Sequence, residues 1–498
     1  MNKLLKISSM LLLGAAVLFT GCSKDVDDDK TTYSVTLKVN DPTMGTVTGD
    51  GDYAEGTEIS IIATAKSGYH FSKWSDDNTN NPRTLIVNKS ISLVALFAEG
   101  SNGEGGNGSD VTDPVSIEGG TINKNTVWKD LGLPIDYVIS GVVSLDGNAL
   151  VTIEPGVTIM FTDNNGGIWV GENAGLKAAG TAEKPIVITG PTNNQNVGAW
   201  NKITITSKRS DNVFEYVTFK NGGSGDGKWD GVIDIEGGTV AFKNCTIDGS
   251  LSNGIQLEGG AKFTAFQGNK ITNCKSFPIY IENAISMLSL DATDNSFASN
   301  KYNMIGINGS GLESSDKNTL KKMPIPYYFE DGLGIIGAQT FTIEAGTTLK
   351  MGAEKSIGID EDATIIAQGT ATEHIVFDGF VEETGYWNGI KYNTKKANSI
   401  LSYCDIKNGG FGEPDDWNSA LIFVNDNDPK GTIENCTFSN SQNYGICIYN
   451  IGEASVNISG DSYKDCAGGN VIHWVGFEEK ISERQVFDNT AALKKAIE

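Results

Sequence analysis

Two glycine-rich stretches set tryptophan beside carboxylates in a pattern that can hold a sugar. The first reads Gly222-Gly223-Ser224-Gly225-Asp226-Gly227-Lys228-Trp229-Asp230, and the second Gly409-Gly410-Phe411-Gly412-Glu413-Pro414-Asp415-Asp416-Trp417-Asn418. An exposed Trp stacks on a sugar face, while Asp226, Asp230, Asp415 and Asp416 can accept sugar hydroxyls or hold calcium. A plainer role also fits: Trp229 and Trp417 pack against the flank of the fold and the acids solvate the turn. No catalytic residues are assigned, and no cofactor beyond that calcium ion is implied. The chain has three arginines (Arg83, Arg209 and Arg484), and neither His374 nor His473 has a visible partner, so no Ser/His/Asp arrangement can be drawn. Cys245, Cys274, Cys404, Cys436, Cys447 and Cys466 form no Cys-x-x-Cys pair and stand at no zinc spacing from His. They are expected as buried, unpaired thiols of a core.

The elements that must carry these stretches repeat. Val151-Thr152-Ile153-Glu154-Pro155-Gly156 returns as Phe341-Thr342-Ile343-Glu344-Ala345-Gly346. Trp200-Asn201, Tyr216, Asn221-Gly222-Gly223 and Asn244-Cys245-Thr246 then return as Trp387-Asn388, Tyr403, Asn408-Gly409-Gly410 and Asn435-Cys436-Thr437. The last three quarters of the chain is therefore one module written twice, which points to a solenoid. A shorter beat lies inside it: Ile233-Asp234-Ile235, Ile255-Gln256-Leu257, Ile279-Tyr280-Ile281 and Ile305-Gly306-Ile307. Each triplet has the alternation of a strand, so its flanking residues should stack inward in two files. The outward places are then Asp234, Gln256, Tyr280 and Gly306, one acid and no cation, with Ile422 and Cys447 at the matching places of the second copy. Each period holds two or three strands, the pattern of a parallel β-helix. Trp200 and Trp387 precede apolar strands and read as structural.

Composition agrees with an all-β chain: 60 glycines among 498 residues suit abundant turns. A formal net charge of −24 argues against nucleic acid as a partner. From Thr31 to Ala98, short alternating runs joined by Gly and Asp-Gly turns predict a small β module. Tyr69, Phe71 and Trp74 suit its core better than a sugar site, and His70 reads as a surface or turn residue. Residues 100–113 are a flexible glycine-rich linker. At the far end, Thr490 to Ile497 can form a short helical cap.

Four resemblances add to this reading. Met1 to Cys22, with Lys3 and Lys6, the apolar run Leu11 to Phe19, and Thr20-Gly21 before the cysteine, resembles a bacterial lipoprotein leader, although Phe19 stands where that family prefers Leu. The resemblance implies cleavage before Cys22, lipidation of its thiol, and a lipid anchor in the outer membrane. Ser23-Lys24-Asp25-Val26-Asp27-Asp28-Asp29 resembles the surface-export signal of Bacteroidetes lipoproteins, implying an extracellular face. Gly45-Thr46-Val47, Gly68-Tyr69-His70-Phe71, Trp74, Asn81-Pro82 and Ala95-Leu96-Phe97 resemble the divergent internalin-type B repeat. From about Val115 to Trp474 the chain resembles right-handed parallel β-helix proteins of the pectate-lyase-like superfamily.

The expected organisation is a leader (1–21), an acidic tether (22–30), the β module (31–99), a linker (100–113), and a right-handed parallel β-helix of two similar halves (114–310 and 311–498, the latter with a cap). Three functions remain open: a non-catalytic, adhesin-like surface lipoprotein binding a polysaccharide or host glycoprotein, a polysaccharide lyase or glycosidase of the β-helix superfamily, or a purely structural spacer in an adhesive layer. Lyases on this fold need a base with calcium-holding carboxylates, and hydrolases a cluster of acids; neither signature is present. A divergent enzyme would draw on Lys228 or Arg209 with Asp226, Asp230 and Asp234.

Overall fold

The computed structural model describes residues 31–66, 69–99, 113–225, 227–412, 419–424, 428–449, 456–474 and 484–488. Cys22 and its tether, Asp226, Asp415, Asp416, Trp417, the side chain of His70 and the stretch Thr490 to Ile497 lie outside these residues. The chain divides into two compact units, Met1–Asp110 and Val111–Glu498.

The first unit pairs Thr32–Val39 in parallel with Ile91–Glu99, and adds Gly51–Ala54 and Tyr69–Trp74 antiparallel at either edge. Gly45–Thr48, Thr57–Ala65 and Arg83–Val87 form a second, antiparallel sheet. Ile61, Ala63, Trp74, Leu93, Ala95 and Phe97 are its buried core, with Phe71 packed against them. The expected core role of Trp74 therefore holds, and its indole Nε1 donates to the Asn80 carbonyl at 3.0 Å. Gly45 is required because a Cβ there would come within 2.3 Å of the Phe97 ring.

The second unit is a parallel β-helix of about 14 turns with three walls per turn. Wall A contains Thr158–Phe161, Ile186–Thr189, Val217–Gly222, Thr246–Ser250 and Lys270–Cys274. Wall B contains Gly167–Val170, Ile203–Ile205, Gly231–Glu236, Asn253–Glu258, Ile279–Ile281 and Ile305–Ile307. Wall C contains Leu150–Ile153, Gly175–Ala179, Val213–Glu215, Thr239–Lys243 and Lys262–Gln267. The triplets align as their alternation requires: Ile233, Ile255, Ile279 and Ile305 form one inward file, and Ile235, Leu257, Ile281 and Ile307 the other, all fully buried. At about 25 cal/mol per Å² of apolar surface withdrawn from water, such files are the main stabilising term.

The turns between walls explain which residues recur in the duplication. Tyr216, Asn221 and Asn244 have φ of 48°, 56° and 52°, and their counterparts Tyr403, Asn408 and Asn435 have 47°, 59° and 54°. A single left-handed residue swings the chain from one wall to the next. Asn tolerates that conformation better than most L residues.

The two copies are out of phase by one wall. Ile305–Ile307 of wall B pairs with Tyr327–Phe329, which pairs with Thr348–Met351 and then with Ile375–Gly379 and Cys404–Lys407. Thr348–Met351 is the counterpart of Thr158–Phe161, yet it continues wall B, not wall A. Likewise Ala420–Val424, the counterpart of Gly231–Glu236, belongs to wall C, with Gly389–Tyr392 and Tyr444–Tyr449 as neighbours. Where the copies meet, a short 3-10 helix, Ala284–Ser289, stands in the place of a wall C strand. The strand Arg484–Phe487 pairs antiparallel with Gly469–Trp474, covering an edge that would otherwise expose unpaired backbone groups.

Several expectations change. The outward place matching Asp234 is Phe423, because Ile422 pairs with the inward Ile390 and is fully buried. Outward Phe423 and Cys447 form a separate apolar cluster with Ala420, Tyr444, Tyr449 and Ile472. His374 does have a partner: its Nδ1 lies 2.9 Å from Asp405 Oδ1. Cys245, Cys274, Cys404, Cys436 and Cys447 are buried, as expected, whereas Cys466 is only half-buried.

Candidate functional site

Val217–Gly222 of wall A and Gly231–Glu236 of wall B are joined by the loop that carries Trp229. The loop does not stand away from the solenoid but lies against the outer face of wall B. Ser252 Oγ donates to the Gly227 carbonyl at 2.7 Å, and Asn253 Nδ2 donates to the Lys228 carbonyl at 2.8 Å. Lys228 Nζ reaches forward to Glu330 at 2.8 Å and Asn308 at 3.1 Å. Trp229 meets the Tyr280 ring edge-on with centroids 5.4 Å apart, and Lys228 Nζ lies 5.3 Å from the Trp229 centroid. Trp229 still keeps 39% of its surface exposed, so it both packs on the wall and faces solvent.

Beneath the loop is a charge cluster only partly legible in the sequence. Lys202 Nζ lies 2.5 Å from Asp234 Oδ2 and 3.1 Å from Asp230 Oδ1. The outward column was expected to hold one acid and no cation. Lys202 corrects that reading, since it precedes Ile203-Thr204-Ile205 and its parity places it outward beside Asp234. Burial pushes the Asp234 carboxyl up to about 7 against the pull of Lys202. Burial also opposes the Lys202 charge, but Asp234 and Asp230 outweigh it and hold the ammonium above its usual range. Asp234 is 1% exposed and Gln256, its neighbour one turn on, is wholly buried. Among the described residues, Asp234 Oδ1 and Gln256 Nε2 have no hydrogen-bond partner.

Downstream on the same face, Tyr280 donates its hydroxyl to Glu330 Oε2 at 2.6 Å. Gly306 permits this, because a Cβ there would come within 2.5 Å of the Tyr280 ring. Along the edge of wall B, Glu236 and Glu258 are register partners, and Glu282 follows one turn on. Burial, then the charges of Glu236 and Glu282, raise the Glu258 carboxyl.

Of the expected ligand residues, the structure brings Trp229 and Asp230 together on wall B. Asp226 lies outside the described residues, as do Asp415, Asp416 and Trp417. The strands flanking that second segment, Cys404–Lys407 and Ala420–Val424, belong to walls B and C, whereas the Trp229 loop joins walls A and B. Among the described residues, no group of three or more His, Cys, Asp or Glu is arranged for a metal ion; between Asp230 and Asp234 the cation is Lys202. Arg209 is taken up by Asp211 and by the carbonyls of Asn148 and Asn173, away from Asp230 and Asp234 in its bonding.

Fold and site together define a parallel β-helix protein with an aromatic and acidic outer wall, preceded by a small β module. Residues 35–101 match the family model described as Divergent InlB B-repeat domain. Residues 120–225 match the one described as Pectate-lyase like beta helix domain, and the same coiling continues through Trp474. No curated protein and no solved structure matches the chain.

Proposed function

We propose that this protein is a non-catalytic surface lipoprotein that holds glycan chains on the outer face of wall B, around Trp229. The observation that carries the reading is the posture of Trp229: buttressed by Tyr280 and Lys228, which both bond the Glu330 carboxylate, yet 39% exposed. A rigid, half-exposed indole next to hydroxyl acceptors suits the apolar face and polar rim of a sugar ring. The charged groups a lyase or hydrolase would draw on here are engaged with one another. Asp230 and Asp234 share Lys202, and Arg209 is forked onto Asp211.

Trp229→Ala should weaken retention on the responsive spots of a glycan array by about 10-fold or more, the scale of a central aromatic contact. Equal retention by variant and parent would remove the proposal. The anchor is tested separately. Cys22→Ser should shift the protein from the membrane fraction to the soluble fraction, and unchanged fractionation would refute the lipid tether.

One feature favours the enzymatic alternative: burial raises the Asp234 carboxyl to about 7, the direction a general acid needs. Pectic, alginate and glycosaminoglycan polymers can be followed for unsaturated products and reducing ends. Turnover that is lost in Asp234→Asn would favour the enzyme over the binder.

A further inference from the structure

Where the two copies meet, the outer face of wall B carries rings that the core does not need. Phe277 stacks on Tyr302 at 4.8 Å and lies parallel to Tyr328 at 6.0 Å. Phe380 packs on Tyr328 at 4.5 Å and on Tyr302 at 5.9 Å. Through the Phe277–Tyr280 contact at 5.3 Å, this group joins Tyr280 and hence Trp229 in one run of touching rings. Tyr302, Tyr328 and Phe380 are each partly exposed, and the hydroxyls of Tyr302 and Tyr328 have no protein partner among the described residues. The run exists because of the one-wall phase shift. The first copy supplies Trp229, Phe277, Tyr280 and Tyr302, the second supplies Tyr328 and Phe380, and wall B is continuous through both.

We infer that Tyr302, Tyr328 and Phe380 form a second glycan subsite, continuous with Trp229, that takes a chain without carboxylate or sulfate groups laid along the solenoid axis. This rests on the proposed glycan-binding role and extends it to a site size and a ligand class. Tyr302, Tyr328 and Phe380 come from the turns of Ile305–Ile307, Tyr327–Phe329 and Ile375–Gly379, with Lys350 on the turn between the last two. Neighbouring turns are about 4.8 Å apart, so an extended polymer laid along the axis can meet these rings as it advances. Charge complementarity sets the class. Among the described residues Glu236, Glu258 and Glu282 line the edge at one-turn intervals with no ion pair, whereas Lys228 is already committed to Glu330 and the one exposed cation on these rings, Lys301, lies over Tyr302 with its Nζ 4.8 Å from the centroid. Such an edge repels a polyanion and offers acceptors to hydroxyls. The free phenolic hydroxyls donate or accept in the same way.

The test is affinity of the full chain for uncharged β-glucan, mannan and galactan oligosaccharides from two to ten sugars, with polygalacturonate as the charged comparison. The parent should bind longer neutral chains about 10-fold or more better than short ones, since a longer chain occupies both subsites. Tyr302→Ala with Phe380→Ala should erase that gain while leaving short-chain affinity unchanged; Trp229→Ala should weaken both. Tyr302→Phe with Tyr328→Phe keeps the rings and should lose only a few-fold, which separates ligand contact from damage to the fold. Unchanged length dependence in the Ala variant, or preference for polygalacturonate, would overturn the second subsite while leaving the Trp229 reading standing. Absence of binding to any chain by the parent would bring down both.

Discussion

Lys202→Met should destabilise the solenoid by about 3 kcal/mol at pH 8 and by roughly half of that at pH 5. The ammonium is the cation that Asp234 touches, and that carboxylate is buried beneath the Trp229 loop with its other oxygen unpartnered among the described residues. Removing Lys202 leaves a lone buried charge, which costs more than the pair itself contributes. The pH dependence follows from proton linkage. A carboxyl whose folded pKa is raised binds its proton more tightly in the native state. Its neutral form is favoured at low pH, and stability is lost as pH rises from the unfolded value through the folded one. For Asp234 that window runs from about 4 to about 7 in the parent, and it extends higher once Lys202 no longer opposes burial. Asp461, raised to about 7 chiefly by burial, adds a slope of the same sign. Asp291 works the other way: Lys321 and Thr293 hold it near 2, so its contribution disappears only in strong acid. Denaturant midpoints of the parent, Lys202→Met, and Lys202→Met with Asp234→Asn, taken between pH 5 and pH 8, provide the check. The double variant should recover most of the loss at pH 8 and lack the added slope. A pH-independent penalty in Lys202→Met would contradict the proposed burden on Asp234.

Trp200→Ala and Trp387→Ala should each lower stability by about 3–5 kcal/mol, the range for deleting a large buried aromatic. Both indoles are fully buried. Their Nε1 groups donate to the carbonyls of Lys220 at 2.8 Å and Lys407 at 2.7 Å, each twenty residues on. Trp200 also stacks on Phe161 at 5.0 Å. The repeated glycines complete the same unit: a Cβ at Gly222 would come within 2.6 Å of the Trp200 ring, and one at Gly409 within 3.1 Å of Trp387 Nε1. The phenylalanine variants should cost less, since they keep most of the ring and lose mainly one hydrogen bond of about 1 kcal/mol. Because turns of a solenoid contact chiefly their neighbours, hydrogen exchange should rise near the substituted turn and little at the distant end. A loss under 1 kcal/mol would show that neither indole holds the stack together.

The structural role of these two tryptophans was legible in the sequence because each precedes a strand of strict alternation. The inward files were legible for the same reason: Ile-x-Ile fixes which side chains share a face wherever one face must be buried. Asp234, Gln256, Tyr280 and Gly306 could therefore be placed on one outer column without coordinates. Lys202 was within reach of the same parity argument, since it alternates with the inward Ile203 and shares the outward side with Thr204. Ile422 was misplaced because its strand, Ala420–Val424, is apolar at every position, and a run without alternation carries no parity signal.

By itself, the sequence determined the strands and their inward faces, because these depend on residues close along the chain, and the duplication, because the same residue types recur at one spacing. Only the tertiary structure decided that the copies are offset by one wall, that Lys202 sits against Asp234, and that the Trp229 loop folds down onto Tyr280. Those facts depend on how many walls separate two equivalent strands and on how far a loop reaches across turns. Both are set by stacking register and loop path, quantities that no local pattern of apolar and polar residues encodes.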